Sequence, residues 1–492
     1  MRAVLMVACL VGAWAGYSAD ARACNTTTVC FEWITEFTDS SELGEVDRED
    51  YLIDEHVRAR GAKVEIIRPA PEDIIMTNLN HDGCVTFVTQ SGSGHRAKVY
   101  TDSVIEGVRL RAGWGDYNVT SPDTSRPQYP DYHVEVDLQD LQAGGELTVP
   151  LTNNTDWPNY TYRAEVAPLY AAAVAIMSRV ADLGLIPGGA AGSTLAVAHL
   201  PASQGARCNC DADDEDPVDI IDVGVGGQYK KFMLAHEIGH WVHVQHRGGP
   251  FANFDVGNYG YPFPAFNPAS YTGDPEDPKL TNGMAFNAPC AFTSDSLFDN
   301  GSMLPTLSHL HGLRSAEHGS AAHLEGYAHF VSAVVHNNVA SEEGWYRYYK
   351  SLNPELPGDP FGDLIDGEYM VELGEAPTVG GERQWIINQC PDDRDFDLED
   401  QFVDDDRADD DRKDDVGVEL DWFRFWWRFA TAQPGDPPGL VNIARFVGEA
   451  TWEVRQAWPE FEDRIANPGN VLHEHETRFV DLADQEGVQN GL

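Results

Sequence analysis

The chain has 492 residues, 42% of them hydrophobic, and 80 acidic against 33 basic side chains give a formal net charge of −47. That length suffices for two or three packed domains of about 100–200 residues. A field of this sign argues against nucleic acid and anionic membranes as partners. Beyond the first residues no apolar run approaches the ~20 residues of a membrane-spanning helix, so no transmembrane span is expected.

The N-terminus reads as an export leader. Arg2 supplies a positive end, Ala3 to Gly16 is apolar, and Ala21-Arg22-Ala23 has the small-x-small form of a cleavage site. Residues 1–23 are therefore predicted to be a signal peptide, and the mature protein to be secreted, periplasmic or at the cell surface. A lipid anchor at Cys24 stays open. It would leave an even number of cysteines, but Ala21 and Arg22 stand where a lipoprotein signal usually has Leu and a small residue. In an oxidising compartment most of the other cysteines should form disulfide bonds, and spacing alone does not choose the pairs. Cys208 and Cys210 flank a single residue and are expected to bond different partners, because so short a ring is strained.

Residues 24–155 read as an all-β sandwich. Short β-rich runs recur at Cys30 to Thr35, Lys63 to Ile67, Val85 to Thr89, Lys98 to Tyr100, Val134 to Leu138 and Leu147 to Leu151, with turn signals such as Asp82-Gly83 and Gly144-Gly145 between them. The stretches Gly61-Ala62-Lys63-Val64 and Asn80 to Phe87 resemble transthyretin-like or carboxypeptidase-regulatory-like modules. That resemblance implies a structural or surface-binding role for this region.

Near Thr155 the pattern changes. Tyr160 to Leu183 reads as a buried helix, Ser193 to Leu200 and Ile220 to Val225 as strands separated by an acidic loop, and Gln228 to Gln245 as a long helix. Gly248 to Pro289 is rich in Pro, Gly and Asn and reads as a long ordered loop or a substrate-facing insertion. A helix over about Ser315 to Val335 carries a core stripe of Ala321, Leu324, Ala328, Val331 and Val335. Residues 156–350 are taken as one α+β domain. Residues 351–492 form a helical C-terminal lobe that contains an acidic segment, 392–415. The simplest reading of that segment is a solvated loop. Calcium held by its clustered carboxylates stays open, although no regular calcium-loop spacing is present. Asp421 to Ala430 carries three Trp and three Phe, which reads as core packing.

Chemistry enters with His236-Glu237-Ile238-Gly239-His240. On a helix, residues four apart share a face, so both imidazoles can reach one zinc ion. Glu237 lies beside them and can take a proton from a water activated there, then pass it to a leaving amine. Gly239 lets a second segment approach the helix closely. A catalytic zinc needs a third protein ligand and an open position. One candidate is Glu325, in His323-Leu324-Glu325-Gly326-Tyr327-Ala328-His329.

Together His236, Glu237, His240 and Glu325 resemble the gluzincins, the thermolysin-like class of zincins, over about residues 160–350. The helix, strand, edge strand and motif helix occur in the same order as in the N-terminal half of zincin catalytic domains. The resemblance implies metal ligands His236, His240 and Glu325 and a catalytic Glu237. It departs at His329, where the thermolysin-like pattern has an Asp that orients a zinc-bound histidine. Either another carboxylate orients that imidazole or the support is built differently. The rival third ligand is His246, at metzincin spacing, with Met284 or Met303 as a later methionine turn. Metzincins have Gly where His243 stands, and His243 turns the chain less readily. His243 and His329 are candidates to support the ligands from behind, or His243 to be solvated.

The expected fold is thus an N-terminal all-β sandwich followed by an α+β zincin-like catalytic domain and a helical C-terminal lobe. The expected function is an exported zinc metallopeptidase acting on protein or peptide substrates. The alternatives are a metzincin-type protease using His246, and a non-catalytic surface or adhesion protein on a degenerate metalloprotease scaffold.

Overall fold

The structure is a computed structural model. It describes residues 26–35, 56–69, 73–89, 94–114, 133–138, 141, 144–151, 166–200, 206–210, 218–224, 231–247, 316–340, 345–347, 370–372, 378–379, 382–383, 416–431, 437–450, 457–486 and 488. The leader 1–23, Cys24, the 248–289 segment, Met284, Met303 and the acidic segment 392–415 lie outside the described residues.

Nine strands come first: β1 (Thr26–Ile34), β2 (His56–Arg58), β3 (Ala62–Arg68), β4 (Asp73–Asn78), β5 (Cys84–Val88), β6 (Arg96–Ile105), β7 (Val108–Trp114), β8 (His133–Asp137) and β9 (Glu146–Leu151). Each run expected to be β lies on one of them. The reason is visible in β1, where Val29, Phe31 and Trp33 are buried at every second position, as a strand with one face on a core requires. β2, β1 and β5 form a small sheet in that order, with β9 parallel to β1. Cys30 and Cys84 oppose each other in the β1–β5 register and are joined by a disulfide.

The next elements are α1 (Val166–Asp182), β10 (Thr194–His199), β11 (Ala206–Asn209), β12 (Val218–Val223) and α2 (Lys231–Arg247). The larger sheet has eight strands in the order β11-β12-β10-β7-β6-β3-β4, with β8 also on β6. β10 runs parallel to both β7 and β12, whereas β11 is antiparallel to β12 at the edge. Here the structure corrects the expected organisation. The boundary near residue 155 runs through a hydrogen-bonded sheet, because β7 pairs with β10 from Thr194↔Arg109 to His199↔Trp114. Helix α1 packs on β6, β7 and β10 and also meets β1 and β2. Trp33 of β1 sets its ring edge-on against Tyr170 of α1, with centroids 5.2 Å apart. A single hydrophobic core extends from Val29 to Val488. The N-terminal strands are therefore continuous with the α+β body, not a separate sandwich.

The remaining elements are β13 (Ala316–His318), α3 (Gly319–His336), β14 (Trp345–Arg347), β15 (Met370–Glu372), β16 (Thr378–Val379), β17 (Glu382–Arg383), β18 (Val416–Val418), α4 (Glu419–Thr431), α5 (Leu440–Gly448), α6 (Ala457–Ala466) and α7 (Glu476–Glu486). β13 pairs with β18, and each runs straight into a helix, so the starts of α3 and α4 are held side by side. Trp422, Phe423, Phe425, Trp426, Trp427 and Phe429 on α4 are all buried, as expected of core packing. Burial of each such side chain contributes about 1.5–3 kcal/mol. The described residues thus form an α+β fold with mixed sheets and seven α-helices. No described helix is long and apolar enough to cross a membrane.

Candidate metal centre

Helix α2 is held from two sides. On the sheet side, Asp219 of β12 accepts hydrogen bonds from Trp241 Nε1 and Gln245 Nε2, each 2.9 Å long. On the other side α3 crosses it closely. A Cβ on Gly239 would stand 2.8 Å from the Ala328 carbonyl oxygen and 2.9 Å from Ala328 Cα, so only glycine permits this approach. Ser332 Oγ then donates to the Phe232 carbonyl at 2.9 Å and ties the two helices together.

That crossing brings Glu325 to the histidines. Glu325 Oε2 lies 3.0 Å from His236 Nε2 and 3.4 Å from His240 Nε2, and the two histidine nitrogens are 3.0 Å apart. His236, His240 and Glu325 could hold a metal ion, and among the described residues no other group of His, Cys, Asp and Glu side chains offers a comparable cluster. The separations suit the purpose. A tetrahedral ion with bonds of about 2.0–2.1 Å needs donors about 3.3 Å apart. Two imidazole nitrogens facing each other at 3.0 Å also need a positive charge or a shared proton between them. His236 is almost wholly buried, whereas the side chains of His240 and Glu325 remain 14% and 16% exposed, so the cluster opens to one side.

The electrostatics divide the two histidines. Burial, with His329 close by, holds His236 well below the usual imidazole range, so its ring is neutral. His240 is raised: burial opposes its protonation, but the Glu325, Glu237 and Glu419 carboxylates outweigh that effect. Glu237 is buried beside the cluster, and its Oε2 accepts the Cys208 backbone N–H of edge strand β11 at 2.8 Å. Sequence reading passed over β11 and treated residues 220–225 as the edge. Cys208 and Cys210, expected to bond elsewhere, are joined to each other. Their Cα atoms are 5.2 Å apart, inside the range a disulfide spans.

A further layer lies behind His236. Its Nδ1 is 2.9 Å from His329 Nδ1, and His329 Nε2 is 3.0 Å from Glu419 Oε2 at the start of α4. The Tyr346 hydroxyl reaches His329 Nδ1 at 2.5 Å. His329, Glu419 and Tyr346 are all fully buried. Glu419 and Tyr346 escaped the sequence reading. A signal existed for Glu419, a carboxylate heading a run of aromatic core residues, but none for Tyr346.

The other candidates go elsewhere. His246 stays on α2, where its Nε2–H donates to the Leu185 carbonyl at 2.9 Å, and it is not brought to the cluster. The reason is geometric: α2 continues without a break to Arg247, so no turn at His243 carries the ring back. His243 is not solvated. It is buried at the α2–α3 interface, with its ring 5.2 Å from Tyr327 and 6.1 Å from His323, and burial keeps it neutral. His323 packs against Trp422 and Phe461 as a core residue.

Compared with known protein families, with curated proteins and with solved structures, the chain finds no match in any of the three.

Proposed function

We propose that the protein is a zinc-dependent peptidase of gluzincin-like construction. The observation that carries this reading is the convergence of His236, His240 and Glu325 at tetrahedral-edge separations with the Glu237 carboxylate beside them. A purely structural metal site needs no adjacent carboxylate of this kind. Zinc held there lowers the pKa of water towards ~7 and polarises a carbonyl. Glu237 takes the proton of the attacking water and returns it to the leaving nitrogen. The Cys208 N–H fixes one carboxylate oxygen and leaves the other for that work. His236 anchors the site from the buried side, while His240 and Glu325 face the opening through which a peptide enters. The helix, strands and motif helix, with an antiparallel edge strand at Glu237, support a zincin-like reading of the fold. Export is part of the proposal, supported by the leader-like 1–23 segment and by the Cys30–Cys84 disulfide, which suits an oxidising compartment.

The test is Glu237→Gln, which keeps size and hydrogen bonding but removes the proton acceptor. Purified variant and parent are compared for zinc content and for casein hydrolysis with and without chelator. The variant should retain zinc while turnover falls by at least ~10²-fold. Undiminished turnover would refute the mechanism.

A further inference from the structure

We propose that His329, held by Glu419, is the positioning residue that sets the tautomer of His236 and aims its Nε2 lone pair into the metal site. This rests on the reading of His236, His240 and Glu325 as metal ligands. The argument is one of proton placement along a buried chain of groups. The Glu419 carboxylate can only accept, so the 3.0 Å contact to His329 Nε2 puts a hydrogen on that nitrogen. In a neutral imidazole the other nitrogen, Nδ1, then carries a lone pair. The Tyr346 hydroxyl donates to that nitrogen at 2.5 Å, which agrees with the assignment. His236 Nδ1 faces the same lone pair at 2.9 Å and must therefore bear a hydrogen. That leaves His236 Nε2 bare, and Nε2 is the atom that faces His240 and Glu325. With the opposite tautomer, His236 would point an N–H at the ion and could not bind it.

A histidine can take this role here because a second buried residue completes it. A carboxylate at position 329 would accept from His236 Nδ1 directly. His329 is neutral and accepts only while something fixes its own tautomer, which is the part Glu419 plays from another helix. The β13–β18 pair, which holds the starts of α3 and α4 together, brings the two within reach. Gly326 allows the same proximity one turn before His329, since a Cβ there would come 2.7 Å from the Glu419 carbonyl oxygen.

Two variants test this, each measured on the full chain. His329→Ala removes the acceptor, and Glu419→Gln is the milder change should the first fail to fold. Zinc affinity is measured by competition with a chromogenic chelator. Long-range nitrogen–proton spectra of the metal-free, 15N-histidine-labelled protein read which ring nitrogen of His236 carries hydrogen, with its signals assigned by their loss in His236→Asn. We expect His236 in the parent to be the Nδ1–H tautomer and to become mixed in both variants. Zinc affinity should fall about 10–100-fold in His329→Ala and about tenfold in Glu419→Gln. An unchanged tautomer and unchanged affinity in folded variants would overturn the proposal and leave the peptidase reading intact. A parent that binds no zinc would overturn the metal reading, and the tautomer spectra would still decide whether His329 orders His236.

Discussion

At the scale of single residues, the competing ligand sets make opposite claims about two side chains. Glu325→Ala removes a donor that lies 3.0 Å from His236 Nε2 and 3.4 Å from His240 Nε2. Its zinc affinity should fall by at least ~10²-fold, since one of three protein bonds is lost. His246→Ala should leave zinc binding within about twofold of the parent. Its ring is engaged by Leu185, and the change should cost only the ~1 kcal/mol of a lost hydrogen bond. Chelator competition on both variants checks this, and loss of zinc in His246→Ala alone would reverse the ligand assignment. The metal-binding part of the site was legible because two ligands and the base lie within five residues of one helix, where spacing alone dictates a common face. Glu325 was legible through its own helical context. Glu419 and Tyr346 were not, because they reach His329 by packing alone. Nothing local in a sequence says which buried carboxylate on one helix will meet an imidazole on another.

At the scale of elements, the site depends on how closely α2 and α3 cross. In an isolated helix Gly239→Ala would be favourable by about 1 kcal/mol. Here the added methyl would meet Ala328 backbone atoms at 2.8 and 2.9 Å, and backbone does not swing aside as a flexible side chain does. We expect the crossing to widen at a net cost of about 1–3 kcal/mol, read as a lower denaturant midpoint. Zinc affinity should fall at the same time, because Glu325 moves with α3. A stability equal to or above that of the parent would show that the contact relaxes without cost. The helices themselves were foreseeable from apolar periodicity, as were most strands from β-rich runs. Strand β11 was not: Ala206 to Asn209 is four residues long and has no alternation to betray it, and its place is set by pairing with β12.

At the scale of the whole molecule, the sequence reading divided what the fold unites. Composition changes near residue 155, from turn-rich β pattern to helical pattern, and such a change ordinarily marks a domain boundary. Strand pairing ignores it, since β7 and β10 are separated by more than eighty residues yet lie side by side in register. A chain beginning at residue 156 would expose β10 along its full length and strip α1 of the strands it covers. We expect such a truncation to be insoluble or to lack a cooperative thermal transition in circular dichroism. A soluble fragment melting cooperatively would restore the two-domain view. The same long-range pairing governs when the site can exist. His236 meets Glu325 across 89 residues, and His329 meets Glu419 across a further 90. Chains made and threaded from the N-terminus fold in that order, so the two histidines of α2 wait on segments delivered much later. Whatever bond this centre cuts, it has no working geometry until residue 419 has arrived, and the unfinished chain is thereby spared its own chemistry.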